Sequence, residues 1–392
     1  MTHSRIDEMI CRQENLTELT EETIKLVQLY KLNGLLRRER ARGGFYAGLP
    51  ESLASLEELS KLPFTTDEEL AHNAAGMILV SQSEVQRVLS DATSGTSGAA
   101  KRVFYTAADC KRTVELFMAG LGELVFPGSR TMICMPFSGP YGLGELIAEA
   151  IGLLGAKPLK VGADKSYGEL TDILEKEKPD TFVGMPVQLL SILRYCGRGS
   201  LRRALVSADA CPETVMDECE RILGSRLFPH YGSREMALGG AISCQAHEGM
   251  HLRENHVIAE IIDENGDILP KGEYGELVIT TIGMKAMPLI RYRTGDYTRI
   301  LPEPCPCGSS VIRLDTLRRK DSRMAEMDDR LFRLPGLIDY TVNESGKIFA
   351  LTDGSLSEDD IREHAPASAV TVRTVDDSDT ALYIGKRKIL PE

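Results

Sequence analysis

The sequence predicts a layered α/β protein with a β-rich subdomain and a small α+β carboxyl-terminal domain, and three observations carry that expectation. Short apolar runs alternate with amphipathic stretches in the middle of the chain. Thr131-Met132-Ile133-Cys134-Met135 precedes a helical pattern from Gly142 to Leu154, and Thr181-Phe182-Val183-Gly184 precedes another from Val187 to Tyr195. Strands alternating with helices need crossover connections, which put helices on the faces of a sheet. Next, Val257 to Asp263 and Glu276 to Thr281 flank the turn-rich Asp263-Glu264-Asn265-Gly266-Asp267, the pattern of a strand pair. After Arg319 the sequence turns charged and irregular, with strand signals at Ile348 to Thr352 and Val370 to Val375. The expected division is therefore 1–318 and 319–392. Ahead of these elements, Leu16 to about Arg42 has helical spacing, and Gly43-Gly44 stops it.

A chain of 392 residues is longer than one core usually supports, which fits a large domain plus a smaller one. With 42% hydrophobic and 27% charged residues, it has the composition of a soluble globular protein. A formal net charge of -12 disfavours binding to a phosphate backbone, so nucleic acid is not an expected partner. The amino terminus lacks the apolar core of a signal peptide, and no segment approaches the roughly 20 apolar residues that span a bilayer. A cytoplasmic protein is expected, with no membrane partner. Nine scattered cysteines in such a chain point to metal ligation or burial rather than a disulfide framework.

Three stretches carry chemistry. Thr93-Ser94-Gly95-Thr96-Ser97-Gly98 combines glycines with small hydroxyl residues, which lets backbone N–H groups and Oγ atoms approach phosphate oxygens. No Gly-Lys-Ser/Thr follows, so it is not the Walker pattern. Tyr231-Gly232-Ser233-Arg234-Glu235 follows the apolar Arg226 to His230 and sits at an expected strand end, where a ring could cover a base and Glu235 could reach a phosphate-bound Mg²⁺. Arg291-Tyr292-Arg293-Thr294-Gly295-Asp296 reads as a loop after a β-subdomain strand, whose Asp could accept both hydroxyls of a ribose. Each alone also reads as an ordinary loop or turn.

In their order, the three resemble the adenylate-forming superfamily of acyl-CoA synthetases, peptide-synthetase adenylation domains and luciferases. Lys61-Leu62-Pro63-Phe64-Thr65-Thr66, and Gly275 to Thr281 running into Met287 to Asp296, are similar to the phenylacetate-CoA ligase branch. The resemblance covers about Leu53 to Asp321. It implies an ATP-dependent, AMP-forming ligase that activates a carboxylic acid, aryl or arylacetic among the candidates, as acyl-AMP and passes the acyl group to coenzyme A. A carrier-protein thiol or an amine is the alternative acceptor, and a degenerate nucleotide-binding homologue the alternative class. It further implies a multi-subdomain adenylation domain followed by a lid domain, and suggests a homodimer.

Carried over position by position, the resemblance gives Thr93 to Gly98 the β and γ phosphates. Ser207-Ala208-Asp209 flanks the adenine, with Tyr231 and Gly232 on its face, and Ser233 and Arg234 belong to the same nucleotide motif. Glu235 is the Mg²⁺ ligand, Asp296 binds the ribose, Arg319 assists it, and Asp321 stands at the pivot. Lys386, in Gly385-Lys386, bridges carboxylate and α-phosphate, with Lys388 as the alternative. Phe137, Tyr141 and Met185 are acyl-pocket candidates. The sequence departs from the family pattern at Ala99-Ala100, which displaces Lys101, and at Arg234, where a Ser or Thr is usual. It departs again at Arg318-Arg319 in the hinge and in a shortened carboxyl-terminal domain.

A second constellation joins Cys244 and His251 to the tight turn Cys305-Pro306-Cys307-Gly308, which presents two thiolates together. With four N/S ligands it suits a structural Zn²⁺, and His247 is the alternative third ligand. Some members of the phenylacetate-CoA ligase branch carry a similar Cys/His set.

Overall fold

The structure is a computed structural model that describes residues 4–90, 101–319 and 323–392. The chain divides into two compact units: Met1–Gly120 with Tyr231–Lys320, and Leu121–His230 with Asp321–Glu392. The chain passes from the first unit to the second for the last time after Lys320. The observed grouping differs from a simple two-part division, because the carboxyl-terminal segment shares a unit with 121–230.

That second unit is built on a parallel sheet. Its strands run in the order Lys157–Lys160, Arg130–Cys134, Thr181–Gly184, Arg203–Val206 and Phe228–Tyr231. Met132 lies opposite Leu159 on one side and Phe182 on the other, so the apolar runs pair in register. Such runs are continuous rather than alternating because helices cover both faces. The helices Leu143–Leu153, Tyr167–Glu177, Pro186–Tyr195 and Glu213–Leu223 supply the crossovers. Pro186 starts its helix at the first turn, where a missing N–H costs nothing.

The carboxyl-terminal segment forms a three-stranded sheet. Leu337–Val342 pairs antiparallel with Lys347–Thr352, which pairs parallel with Ala369–Thr374, and the helices Arg323–Leu331 and Glu358–His364 pack with it. One continuous apolar cluster runs from Phe182, Leu189, Leu190 and Val215 to Leu331, Phe332 and Ile338. Polar groups stitch the same seam. The Arg194 guanidinium donates to the carbonyls of Phe332, Leu334 and Leu337 at 2.7, 3.0 and 2.7 Å. Ser191 Oγ donates to the Ile338 carbonyl at 2.6 Å, and Thr214 meets Asp329 through both its amide and its hydroxyl.

In the first unit the expected amino-terminal helix is observed as Glu21–Arg42, preceded by a separate helix Arg5–Glu14. Thr20 caps the longer helix by accepting from the Thr23 amide, and Gly43, at φ +62°, ends it. Leu32, Leu35 and Leu36 form its buried stripe at i, i+3 and i+4 spacing, packed with Tyr46, Leu53, Ile258 and Ile290. Four antiparallel strands follow in the order Ile258–Ile262, Gly275–Thr280, Tyr292–Thr298 and Arg318–Arg319. The stretch read as a loop around Asp296 is thus a strand, bent where Gly295 takes φ +69°. The strands Val85–Ser90 and Arg102–Thr106 pair antiparallel, with Ser90 opposite Arg102. Among the described residues no helix is long and apolar enough to cross a membrane.

Candidate active site and metal centre

Tyr231 ends its strand, and the chain then turns through the short helical segment Arg234–Met236 into two left-handed residues, Ala237 at φ +56° and Leu238 at φ +66°. Non-glycine residues adopt that region at a cost, and such strain gathers at functional turns. Three bonds hold the turn. The Gly240 amide donates to the Tyr231 carbonyl at 3.1 Å, Tyr105 OH to the Arg234 carbonyl at 2.6 Å, and Thr113 Oγ1 to the Ala237 carbonyl at 2.6 Å. Gly240 is needed here, since a Cβ would stand 2.1 Å from Met236 Sδ. Ser233 Oγ is buried with no partner among the described residues, leaving hydrogen-bonding capacity unspent beside Tyr231.

The turn meets the strand Tyr292–Thr298 at two places. Tyr231 OH donates to Asp296 Oδ2 at 2.9 Å, while Arg319, opposite Asp296 in the ladder, brings Nε to 3.9 Å from Oδ1. Burial, and then the Asp296 carboxylate, hold the Tyr231 phenol well above its usual range, so it stays a neutral donor. Three sequence-predicted residues, Tyr231, Asp296 and Arg319, are thereby assembled. The backbone beneath them is anchored by Arg291, whose buried guanidinium pairs with Glu260 at 3.0 Å and donates to the carbonyls of Ser60 and Leu62.

Glu235 is buried beside a cation. Lys101 Nζ lies 3.6 Å from Glu235 Oε1, 3.0 Å from Asp67 Oδ1 and 3.4 Å from Tyr292 OH. Tyr292 OH also donates to Asp67 and stands 3.4 Å from Glu235 Oε1. Two carboxylates therefore converge on one ammonium. A divalent cation bound by one or two carboxylates plus phosphate oxygens suits this donor set, so Glu235 fits the Mg²⁺ role. Lys101 and Asp67 were absent from the expected site. Lys101, read as displaced, in fact stands by Glu235, and Asp67 offers no sequence signal beyond an acid at a helix start. Thr93, Ser94, Gly95, Thr96, Ser97, Gly98 and Asp321 lie outside the described residues.

In the second unit, Ser207-Ala208-Asp209 follows the strand Arg203–Val206, with Ala208 at φ +71°. Ser207 Oγ is spent on His230 Nδ1 at 2.7 Å. Asp209 Oδ1 accepts from the Ala210 amide and Oδ2 from the Arg387 amide, both at 2.9 Å. Burial pushes the Asp209 carboxyl up, opposed by those amides and then by the charges of Arg387 and Lys386. Asp209, Gly385 and Arg387 line a small cleft with Met185, Gln188 and Tyr383. Of the acyl-pocket candidates only Met185 reaches that cleft. Lys386 and Lys388 are both exposed. Arg387, which carried no sequence signal, is the buried member of the run.

Cys244, His251, Cys305 and Cys307 offer four ligand atoms that all lie within 4.8 Å of one another. His251, not His247, belongs to this set. Cys244 Sγ and Cys305 Sγ are 3.7 Å apart, and Cys307 Sγ is 3.4 Å from His251 Nε2. A hydrogen bond from Cys307 pulls the Cys244 thiol down from its usual range, toward the thiolate that metals bind. His251 is fixed by its strand Met250–Leu252, where it pairs with Arg313, and its Nδ1 has no acceptor among the described residues.

Residues 81–286 match the model of the AMP-binding enzyme family. The chain is 30% identical over 326 residues to a phenylacetate-coenzyme A ligase of Thermus thermophilus, covering 77% of this chain and 71% of that one. It is 28% identical over 351 residues to the phenylacetate-coenzyme A ligase of Escherichia coli, covering 84% and 76%. Among solved structures, 2-hydroxyisobutyryl-CoA ligase in the postadenylation state matches with a TM-score of 0.75 at 18% identity, covering 95% of this chain and 90% of that one.

Proposed function

This chain belongs to the AMP-binding enzyme family, in its phenylacetate-CoA ligase-like branch, and from that premise we propose that it is an ATP-dependent, AMP-forming carboxylate–CoA ligase. A carboxylate oxygen of the acid bonds to the α-phosphorus of ATP and displaces pyrophosphate. The thiol of coenzyme A then displaces AMP from the acyl carbon. The observation that carries the reading is the convergence of Tyr231 and Arg319 on the Asp296 carboxylate, beside the Glu235 turn.

Each residue has a task in this proposal. Thr93 to Gly98 hold the β and γ phosphates, while Tyr231 and Gly232 cover the adenine, which Ser207 to Asp209 flank. Asp296 accepts the ribose hydroxyls, with Arg319 beside it. Glu235 would hold Mg²⁺, which supplies charge to offset the phosphates. Lys386 offsets the charge that develops as one anion attacks another. No general base is required, because a carboxylic acid of pKa about 4 is ionised at neutral pH. The reaction therefore calls for no His or Cys nucleophile. An aryl or arylacetic acid is the substrate class that the branch supports, and the protein works in the cytoplasm as a homodimer.

Cys244, His251, Cys305 and Cys307 are the ligands of a structural Zn²⁺. Two of their separations, 3.7 Å between the sulfurs of Cys244 and Cys305 and 3.4 Å between Cys307 Sγ and His251 Nε2, suit a tetrahedral site, in which a Zn–S distance of about 2.3 Å would give S···S edges of roughly 3.8 Å.

The test is pyrophosphate release screened over aromatic, arylacetic, aliphatic and amino acids, with and without coenzyme A. The expected result is acid-dependent release, with coenzyme A consumed in equal measure. Release that never consumes coenzyme A would transfer the second step to another acceptor, and no release with any acid would overturn the assignment. Asp296→Ala should raise KM for ATP roughly 10- to 100-fold, the loss of charged hydrogen bonds worth about 1.5–3 kcal/mol, with a smaller change in kcat. Steady-state kinetics at saturating acid measures it, and an unchanged KM removes the ribose role.

A further inference from the structure

The run Gly385-Lys386-Arg387 is tied down through its arginine. The Arg387 side chain is 4% exposed and lies between Asp328 and Asp339, themselves 3% and 2% exposed. Nε donates to Asp328 Oδ1 at 3.1 Å, Nη1 to Asp339 Oδ1 at 2.7 Å and Nη2 to the Tyr340 carbonyl at 3.2 Å. The carboxylates have further donors: Tyr340 OH reaches Asp328 Oδ1 and the Leu382 amide reaches Asp339 Oδ2, both at 2.8 Å. The rings of Tyr340 and Tyr383 each lie 4.7 Å from the guanidinium carbon.

A buried ionic cluster is a poor device for stability alone, because well-packed apolar side chains hold a tail with less desolvation. What the fork adds is direction. Donors fixed in one plane onto three separate acceptors select one rotamer of residue 387 and one course for the backbone around it. That course is set further by the Arg387 amide, which donates to Asp209 Oδ2 at 2.9 Å and so lays the run against the Ser207–Asp209 segment. Lys386 is the residue next to the clamp, and its exposed ammonium acts on Asp209.

We propose that Arg387 is a positioning residue for Lys386: its clamp on Asp328 and Asp339, with its amide on Asp209, fixes the backbone from which Lys386 is presented for adenylation. The inference rests on the reading of Lys386 given above.

A double-mutant cycle on the full chain tests it by carboxylate-dependent ATP–pyrophosphate exchange. Arg387→Lys keeps the charge and loses the fork. It is expected to lower kcat about tenfold or more, with KM for ATP changed less than about threefold. In a Lys386→Ala background the same substitution should have no further effect, because the group it positions is gone. Equal factors in both backgrounds describe a merely structural role and overturn the proposal. Unimpaired exchange in Lys386→Ala alone removes the reading of Lys386, and the proposal falls with it, so the two failures are distinct.

If Arg387→Lys fails to fold, the triple variant Arg387→Met, Asp328→Asn, Asp339→Asn removes the buried charges together while keeping the volume. It should melt close to the parent protein and still show the loss in kcat. Parent-like melting with parent-like kcat overturns the proposal.

Discussion

Replacing Lys386 by alanine is expected to lower the turnover of carboxylate-dependent pyrophosphate exchange by roughly 10²–10³-fold, about 3–4 kcal/mol of transition-state stabilisation. ATP binding should stay within a few-fold. The asymmetry follows from what adenylation demands. An ionised carboxylate approaches an already anionic triphosphate, so negative charge on the nonbridging oxygens of the α-phosphate is greatest as the new P–O bond forms. An ammonium placed for that moment contributes little to the bound ground state, where the β and γ phosphates have their own partners. A group that acts only on the transition state lowers kcat and kcat/KM together when it is removed. A Lys386→Ala protein with parent-like exchange would transfer the role to Lys388, and the same assay on Lys388→Ala decides between them. Arg387 would then orient the wrong neighbour, which is why the two lysines need to be measured side by side.

Much of this was readable because chemistry constrains residue types at a few positions. The runs Tyr231 to Glu235 and Arg291 to Asp296 were recognisable as motifs, and the fold brings Tyr231 and Asp296 together across 65 residues of sequence. The Cys/His set was readable because thiolates and imidazole seldom occur at such spacing without reason. The strand through Asp296 was misread as a loop, since Gly295 and Asp296 are turn formers and pattern alone reveals neither Arg319, the ladder partner of Asp296, nor the Glu276 carboxylate that accepts from the Gly295 amide. Lys101 read only as displaced and Asp67 gave no signal, because a charged residue on its own looks solvated until its partners are known. The same holds for Arg387, Asp328 and Asp339, whose charges read as a surface tail yet form a buried cluster. Least legible was the union of the carboxyl-terminal segment with residues 121–230. Its seam consists of ordinary apolar side chains and of Arg194 donating to carbonyls, and neither leaves a local pattern.

Protein expressed with zinc available should carry one equivalent of zinc per chain by elemental analysis, and stripping it should destabilise the first unit by several kcal/mol, on the order of 3–5. The geometry gives the reason. Cys244 and Cys305 are 61 residues apart in sequence, yet their sulfurs approach to 3.7 Å while both remain free thiols. Between the two halves of the set run the strands Ile258–Ile262, Gly275–Thr280 and Tyr292–Thr298, the last of which carries Asp296. A metal there closes a long loop whose entropy the unfolded chain otherwise recovers. Without one, three thiols and a buried imidazole are left to satisfy each other with weak sulfur hydrogen bonds. Cys305→Ser should therefore lose the metal and lower the melting temperature of the first unit by several degrees or more, at about 2–4 °C per kcal/mol for a unit of roughly 200 residues. KM for ATP should rise as the strand bearing Asp296 loosens, while Lys386-dependent chemistry on the ATP that does bind is spared. Stable protein containing no zinc, with the same melting temperature before and after a chelator, would dismiss the metal centre and leave four buried or half-buried side chains packed for other reasons.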